Sequence, residues 1–426
     1  MELSEVKTSI DGLEVGMYVS RLDRPWIKTP FPIQGLKIRS KDDIEKLRAY
    51  CSFVYVDVEK GHAPNPRFWI VSTTPKATTN IFDMDPSERP TVTRTDEFES
   101  LRKKTYRVTT SIKSELKEAR AACDKVSEGF SYLLEDLGKG RDIDLARVKS
   151  GITDMVESIT RNPAALSWLV HLKKHDEYTY SRALGTSVWC ATFGRHLGLE
   201  KSTITELALG GLLLDIGNTS IPRELIFKLG GLDDDEQKQM HSHVDMGVKI
   251  LAHASSTSPT TKVPMDVLQM VATHHERFDG SGYPQKLGNE QIPLYGKIAG
   301  LVDSYDAMTS ERPYAGKGPR PPHEAIAELY ELRDDKYQGE LVEQFIQSVG
   351  LYPTGSLVEL NTGQVGAVIS VNGLRRLRPV VMLLLDENKK PLSQFKHIDI
   401  SKTKDINVTR GVSPDDYGIN MKELFL

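Results

Sequence analysis

The sequence predicts a multidomain α+β protein with a small N-terminal α+β domain, a central all-α helical domain and a small β-rich C-terminal segment. A length of 426 residues exceeds what one compact core of ordinary size accommodates. Along the chain, short β-branched runs give way to apolar residues spaced three and four apart, and short runs then return. We predict an N-terminal domain at 1–72, a linker at 73–104, a helical connecting region at 105–173, a helical domain at 174–351 and a β-rich segment at 352–426.

The N-terminal domain is predicted from short strands that alternate with turn residues. Runs of β-branched and aromatic residues at 16–19, 36–38 and 53–58 read as strands, and 41–47 reads as one short helix among them. The stretch 73–96 is rich in Thr, Pro, Ser and Asn and lacks periodicity, which is typical of a linker or a long excursion.

Helical patterning begins with two segments at 105–137 and 145–159, separated by a break at Gly138-Lys139-Gly140. We favour packing of the first helix within the chain. The alternatives are a solvated bundle element or a helix that forms a homodimer.

The rest of the central domain is predicted to be helical, and the C-terminal segment is predicted to consist of strands separated by Gly, Asn and Asp turns. One helix start is predicted from the capping-box spacing of Thr203 and Glu206. The predicted helices are 164–173, 178–197, 203–214, 234–252, 265–276, 292–309, 324–333 and 341–349, and the predicted strands are 356–360, 366–371 and 380–386.

The composition is typical of a globular protein, with 39% apolar and 27% charged residues. A formal net charge of −4 gives no global attraction to a nucleic-acid polymer or an anionic membrane, so an anionic ligand must be captured by a local basic site. The cysteines Cys51, Cys123 and Cys190 are odd in number and widely separated, which favours a reducing compartment. With no signal pattern and only short apolar runs, we expect a cytoplasmic protein without a membrane span.

A cluster of histidines and carboxylates is the strongest functional signal. His274 and His275 end a helix and run into a Gly-rich turn, which lets two imidazoles converge on a metal ion. Asp215 and Asp303 lie in otherwise apolar segments, where an isolated carboxylate is costly and demands a partner. Taken singly, the histidines could be structural, and each aspartate could pair with Arg or Lys or cap a helix.

Together these motifs resemble those of the bacterial HD-GYP family. The stretch 214–222 is similar to the family's His-Asp-Ile-Gly-Lys segment, His243 with Gly247 resembles the next ligand motif, and 274–284 carries the His-His-Glu and Gly-Tyr-Pro signatures. The likeness continues through 303–314 and covers about 174–350. The N-terminal segment, with 16–19 and Trp26, is similar to a domain of unknown function often joined to HD-GYP domains.

The resemblance implies a cyclic di-GMP phosphodiesterase in which two or three iron or manganese-type ions are held by His and Asp. It places metal ligands at Asp215, His243, His274, His275 and Asp303, and it gives Asp215 and Asp303 catalytic roles. Bound cations lower the pKa of water and neutralise charge on the reacting phosphate. Because ligands must hold these cations in place, both effects depend on the number of ligands.

Three functional positions depart from the family pattern. Leu214 stands where the histidine of the His-Asp pair is expected, Asn218 replaces a lysine, and Arg182 stands where an earlier ligand histidine is expected. By resemblance, one metal therefore keeps only Asp215 and Asp303, while the other keeps its full set of three histidines and one aspartate. We predict one divalent ion, Fe, Mn or Zn, with no second one, and we expect the Arg182 guanidinium among the two carboxylates. The alternative is a decayed site that is only a packed bundle with a salt bridge.

The sequence therefore predicts an HD-GYP-family, metal-dependent phosphodiesterase-like protein of cyclic di-GMP signalling with weak or absent hydrolysis. The alternative is a non-catalytic sensor of a cyclic dinucleotide, or a module that binds a signalling protein such as a diguanylate cyclase through the Gly282-Tyr283-Pro284 loop. By resemblance, Arg312 and Tyr314 bind substrate, with Lys297 as a further cation. The plain alternative for Arg312 and Tyr314 is loop packing.

Overall fold

The computed structural model describes residues 5–24, 29–31, 35–58, 60–70, 102–173, 178–257, 262–310, 319–371 and 378–419. The chain divides into two compact units, Met1–Thr105 and Tyr106–Leu426. Their content confirms the predicted fold class, because a small α+β region is followed by a helical domain and then by a β-rich end. The finer division into five segments stays a prediction.

The first unit is a four-stranded sheet with one helix. Its elements are β1 (Glu5–Ser9), β2 (Tyr18–Leu22), β3 (Leu36–Lys37), α1 (Lys41–Tyr50) and β4 (Phe53–Asp57), in the sheet order β1-β4-β2-β3. Helix α1 begins at a capping box formed by Ser40 and Asp43 and buries Leu47 in the core. Strand β1 was not predicted because its run carries one large apolar residue, Val6, and its pairing with distant β4 specifies it.

Helices form the larger part of the second unit. The first of them, Ile112–Gly138, packs on the three helices that follow it in the chain, which confirms the expectation that it packs within the chain. None of the helices in the described part of the chain has the length and apolarity needed to cross a bilayer. The helices are α2 (Ile112–Gly138), α3 (Ala146–Arg161), α4 (Pro163–Lys173), α5 (Tyr178–His196), α6 (Lys201–Leu213), α7 (Arg223–Ile226), α8 (Asp234–His241), α9 (His243–Thr257), α10 (Met265–Thr273), α11 (Leu294–Thr309), α12 (Pro322–Glu331) and α13 (Gly339–Val349).

Several helix boundaries differ from the prediction. Helix α2 begins seven residues later than expected, where the Ser111 hydroxyl accepts the Ser114 N–H at 3.1 Å. Helix α6 begins at Lys201, so the predicted capping box at Thr203 and Glu206 is wrong and both residues lie inside the helix. The single helix predicted at 234–252 is two helices, which meet at Ser242. Apolar spacing continues across that junction, so periodicity alone does not detect it.

Aromatic packing holds the helices that carry the candidate site. Trp189 on α5 and Tyr305 on α11 meet edge to face with ring centroids 5.5 Å apart. Tyr305 also meets Phe345 on α13 at 5.2 Å. These fully buried rings fix α5 against α11, where Arg182 of α5 contacts Asp303 in the middle of α11.

The C-terminal region is a five-stranded antiparallel sheet in the order β8-β7-β6-β5-β9. One face buries Trp168 of α4, and the other forms a separate core that includes Val381 and Ile400. Three of the strands were predicted from the sequence, but β8 and β9 were not. These two strands lie at the sheet edges, so their sequences mix polar and apolar residues. The strands are β5 (Leu357–Leu360), β6 (Val365–Ser370), β7 (Val380–Leu385), β8 (Pro391–Asp399) and β9 (Val408–Val412).

Candidate metal centre

Four residues bring metal-ligating atoms together at the ends of three helices. Asp215 follows α6, His243 opens α9, and His274 and His275 follow α10. One donor atom from each of the four lies within 4.8 Å of the others. The His243 Nε2 and Asp215 Oδ1 atoms are 3.5 Å apart. The candidate metal centre therefore consists of three imidazoles and one carboxylate.

Backbone carbonyls orient two of the imidazoles. The Nδ1 atom of His243 lies 2.7 Å from the Met240 carbonyl oxygen, and that of His274 lies 2.9 Å from the Val271 carbonyl oxygen. Both acceptors lie at helix C-termini, where carbonyls lack an intrahelical partner. A ring Nδ1 that donates to a carbonyl leaves the Nε2 lone pair free for a metal. The Nε2 atoms of His243 and His274 are buried and have no hydrogen-bond partner within the described residues.

The electrostatics favour neutral imidazoles beside a charged carboxylate. Burial, followed by the charge of His243, lowers the pKa of His274, and burial lowers the pKa of His275 well below its ordinary value. Burial acts to raise the pKa of Asp215, but the charges of Arg182 and His243 hold that pKa below its ordinary value. Neutral imidazole and ionised carboxylate are the forms that bind metal, so these residues fit a divalent ion.

A guanidinium occupies the other side of Asp215. Arg182 on α5 forms an ion pair with Asp303 on α11, and its Nη2 atom lies 3.5 Å from Asp215 Oδ2. The Arg182 side chain is 15% exposed and that of Asp303 is 8% exposed, so this is a largely desolvated pair. Leu214 is buried in the core beside Asp215, and the nearby Asn218 side chain acts to lower the pKa of Asp215.

The Gly282-Tyr283-Pro284 loop folds back onto the metal cluster. The Glu276 carboxylate accepts hydrogen bonds from the backbone N–H groups of Gln285 at 2.7 Å and Leu287 at 2.9 Å. The Tyr283 N–H donates to the His275 carbonyl oxygen at 3.2 Å. A Cβ atom on Gly282 would lie 2.5 Å from the Glu276 Cα atom, so only glycine fits there. Glu276 of the His-His-Glu motif thus anchors the loop.

A cavity of about 1110 Å³ opens beside the metal cluster. Its polar end contains Arg182, Asp215, His243, His275 and Asp303, and cations from other segments also line it. These cations were not predicted from the sequence, because two of them lie outside the histidine motifs and Arg277, within the 274–284 motif, was not singled out. The cations are Arg223, Lys228 and Arg277, and the apolar wall includes Phe130, Leu134, Leu212, Leu225, Phe227 and Met240.

The residues predicted to bind substrate are not brought together in the described part of the chain. Lys297 donates to the Asn289 side-chain oxygen at 3.1 Å and is not among the described residues that line the cavity. Arg312 and Tyr314 lie outside the described residues. The substrate-binding roles of all three stay predictions.

Three family matches cover most of the chain. Residues 164–341 match the HD domain, residues 5–148 match a domain of unknown function (DUF3391), and residues 357–420 match the KOW domain associated with the HD domain. A protein named cyclic di-GMP phosphodiesterase PA4108, from Pseudomonas aeruginosa, is 28% identical over 404 residues, which cover 94% of this chain and 90% of that protein. The chain therefore contains an HD domain, preceded by the DUF3391 domain and followed by the KOW domain associated with the HD domain.

Other relatives match a shorter part of the chain. A cyclic di-GMP phosphodiesterase of Thermotoga maritima is 38% identical over 151 residues, covering 35% of this chain and 39% of that protein. A 3'3'-cGAMP-specific phosphodiesterase of Vibrio cholerae is 30% identical over 161 residues, covering 38% of this chain and 30% of that protein.

Among solved structures, Bd1817, described as a HDG"Y"P protein from Bdellovibrio bacteriovorus, is 15% identical with a TM-score of 0.45 and covers 80% of this chain and 98% of that chain. A similarity this low supports no conclusion about the site.

Proposed function

We propose that this protein belongs to the HD-GYP family and binds cyclic di-GMP or a related cyclic dinucleotide beside a single divalent metal ion, with weak or absent hydrolysis. One observation carries the proposal: Arg182 lies between Asp215 and Asp303, next to a complete set of three histidines. The site thus keeps one metal-binding half and has an organic cation in the other half.

The metal-binding half consists of His243, His274, His275 and Asp215. Three imidazoles and a carboxylate suit Fe(II), Mn(II) or Zn(II). A bound ion of this kind would neutralise phosphate charge and acidify a bound water. The chain's own contribution is to hold neutral, oriented rings in a buried setting, which the carbonyl contacts of His243 and His274 support.

The other half of the site, with Arg182 and Asp303, has a positive charge but cannot supply metal chemistry. A guanidinium binds carboxylates through planar N–H groups and stays protonated, so it neutralises Asp303 as a cation would. It cannot acidify a water molecule as a Lewis acid does. We therefore propose that Asp215 and Asp303, the aspartates expected to be catalytic, serve mainly to hold the metal and Arg182, respectively.

A cyclic dinucleotide suits the adjoining cavity. Ligand pockets commonly enclose roughly 300–1,000 Å³, and this one of about 1110 Å³ offers both charge and apolar surface. The two phosphates would face the metal end, while the bases would lie against the apolar wall that includes Phe227. Arg312, Tyr314 and Lys297 are proposed as further ligand contacts. The relatives named cyclic di-GMP phosphodiesterase and 3'3'-cGAMP-specific phosphodiesterase support this ligand class.

A second candidate is a non-catalytic module that binds a signalling protein, such as a diguanylate cyclase, through the Gly-Tyr-Pro loop. The observation in its favour is that the turn before the tyrosine is accessible at Ser281, which is exposed. Charge recognition of the dinucleotide and loop recognition of a protein use different faces of the same segment.

The test combines metal analysis, ligand binding and turnover on the full chain. We expect protein purified anaerobically without chelator to carry about one metal ion, to bind cyclic di-GMP by calorimetry, and to hydrolyse it slowly or not at all. His243→Ala should lose both metal and ligand, whereas His253→Ala, an exposed histidine on the same helix, should lose neither. Rapid turnover by the wild type would contradict the proposal, and binding of a cyclase without binding of the dinucleotide would favour the second candidate.

A further inference from the structure

His275 differs from the other two histidines of the metal cluster in how it is held. The rings of His243 and His274 each donate to a backbone carbonyl. For His275, no ring hydrogen bond to a carbonyl or carboxylate is present within the described residues. A ligand imidazole ordinarily needs such a contact to keep its lone pair aimed at the metal. Something else must orient this ring.

A column of three parallel rings supplies that orientation. Tyr283 stacks on His275 with centroids 4.5 Å apart and planes at 22°, and His241 stacks on Tyr283 at 3.6 Å and 8°. The outer ring of this column, His241, ends α8, two residues before the ligand His243. The column therefore runs from the α8–α9 junction, through the signature loop, to a metal ligand.

Both ends of the column are fixed by backbone contacts. The α8–α9 junction is held where Ser242 N–H donates to the Lys238 carbonyl at 3.1 Å and the Ser242 hydroxyl donates to the Gln239 carbonyl at 2.7 Å. At the other end, the Tyr283 N–H donates to the His275 carbonyl, so loop and ligand are joined through backbone as well as rings. Because Tyr283 stacks on one face of the His275 ring, that ring can turn only within its own plane.

We infer that Tyr283 and His241 are positioning residues for the metal ligand His275, and that metal binding in turn orders the Gly-Tyr-Pro loop. The inference rests on the metal site of the proposed function. Its second part follows from reciprocity, because a loop position that favours the metal is favoured by the metal to the same extent. The loop then presents a different surface in the metal-loaded and metal-free protein.

The test measures cobalt affinity and loop protection on the full chain, without nucleotide. Co²⁺ affinity is measured by competition with a chromophoric chelator, and its visible spectrum reports ligand geometry. We expect Tyr283→Leu and His241→Leu each to weaken Co²⁺ binding about tenfold and to alter the spectrum, as removal of supporting contacts around metal ligands does. Tyr283→Phe, which keeps the ring, should bind Co²⁺ within about twofold of the wild type on the same grounds. His253→Leu, on exposed surface of α9, should be unchanged.

Hydrogen exchange supplies the second readout. Added Co²⁺ should slow exchange of the backbone amides at 279–288 in the wild type and in Tyr283→Phe, and much less in His241→Leu. If Tyr283→Leu fails to fold by circular dichroism, His241→Leu tests the column from the opposite end.

The outcomes separate this inference from the proposed function. A wild type that takes no Co²⁺ overturns both. Normal Co²⁺ affinity in folded His241→Leu and Tyr283→Leu overturns the positioning role, and equal loop protection with and without Co²⁺ overturns the ordering of the loop; neither result contradicts the proposed function.

Discussion

The site has two sides that share Asp215 and solve the same electrostatic problem differently. The histidine side, His243, His274 and His275, presents ring nitrogen atoms that converge within 4.8 Å of one another and of the shared carboxylate. The arginine side, Arg182 with Asp303, is already closed by a salt bridge. One side is arranged to receive a cation, and the other contains one.

This difference shows two ways in which one fold can neutralise largely buried carboxylates. A buried carboxylate without a cation is strongly disfavoured, so Asp303 needs a positive group beside it. Arg182 supplies that group from within the chain. The ion pair joins α5 to α11, and a guanidinium, unlike a metal ion, does not acidify water.

The largest expected effect comes from converting the arginine side back into a metal side. The triple variant Arg182→His, Leu214→His and Asn218→Lys restores two ligand positions and a phosphate contact. Metal content should rise towards two ions, and turnover of cyclic di-GMP should rise at least about a hundredfold, because a second Lewis acid can lower the barrier by several kcal/mol. Metal analysis and product chromatography check this.

Single substitutions serve as the controls for that variant. Leu214→His alone should gain little, since its side still lacks a ligand and faces a guanidinium, so the effects should be strongly non-additive. A wild type already as fast as the folded triple variant would show that the departures do not disable the enzyme.

The second prediction concerns the histidine side. His274→Ala or His275→Ala should reduce bound metal from about one ion per chain to none, because each supplies one of only four ligands. Chelation of the wild type should lower its unfolding temperature, since an ion at a thousandfold its Kd stabilises the folded state by about 4 kcal/mol. Two tightly bound ions in the wild type would refute the assignment of a single metal side.

The third prediction tests the arginine side in metal-free protein. Arg182→Met leaves the largely buried Asp303 without its cation and should reduce the free energy of unfolding by about 3 kcal/mol in urea titrations. Lys125→Met breaks an exposed pair with Asp154 and should cost less than about 1 kcal/mol. Equal losses in the two variants would mean that Asp303 does not depend on Arg182.

The smallest effect concerns the loop that covers the histidine side. The hydrogen bond from Lys336 lowers the pKa of Asp279 to about 2, below the ordinary 3.8. Because the folded-state pKa is depressed, this pair contributes stability above pH 3.8 and loses it as the pH falls towards about 2. The Lys336→Met variant should therefore have a slightly lower melting temperature than the wild type at pH 7, and the difference between the two melting temperatures should vanish near pH 2. A difference in melting temperature that widened in acid would contradict the pairing.

Much of the fold was predictable from local pattern. Helices with clear periodicity and the strand runs at 53–58 and 380–386 correspond to observed elements, since their residues encode the period directly. The edge strands β1, β8 and β9 were missed because a half-polar strand is specified by the partner it pairs with, not by its own residues. The junction at Ser242 was missed because apolar spacing runs through it.

The sequence by itself determined which chemical groups are available: three histidines and two aspartates in HD-GYP motifs, with Arg182, Leu214 and Asn218 at departing positions. Only the tertiary structure decided what each group does. It oriented two imidazoles through helix-end carbonyls and stacked Tyr283 between His241 and His275, whereas the contact of Arg182 with two carboxylates was already expected from the sequence. Periodicity and motif reflect the order of residues along one chain, whereas ion pairing and ring stacking depend on distances between segments that only packing sets.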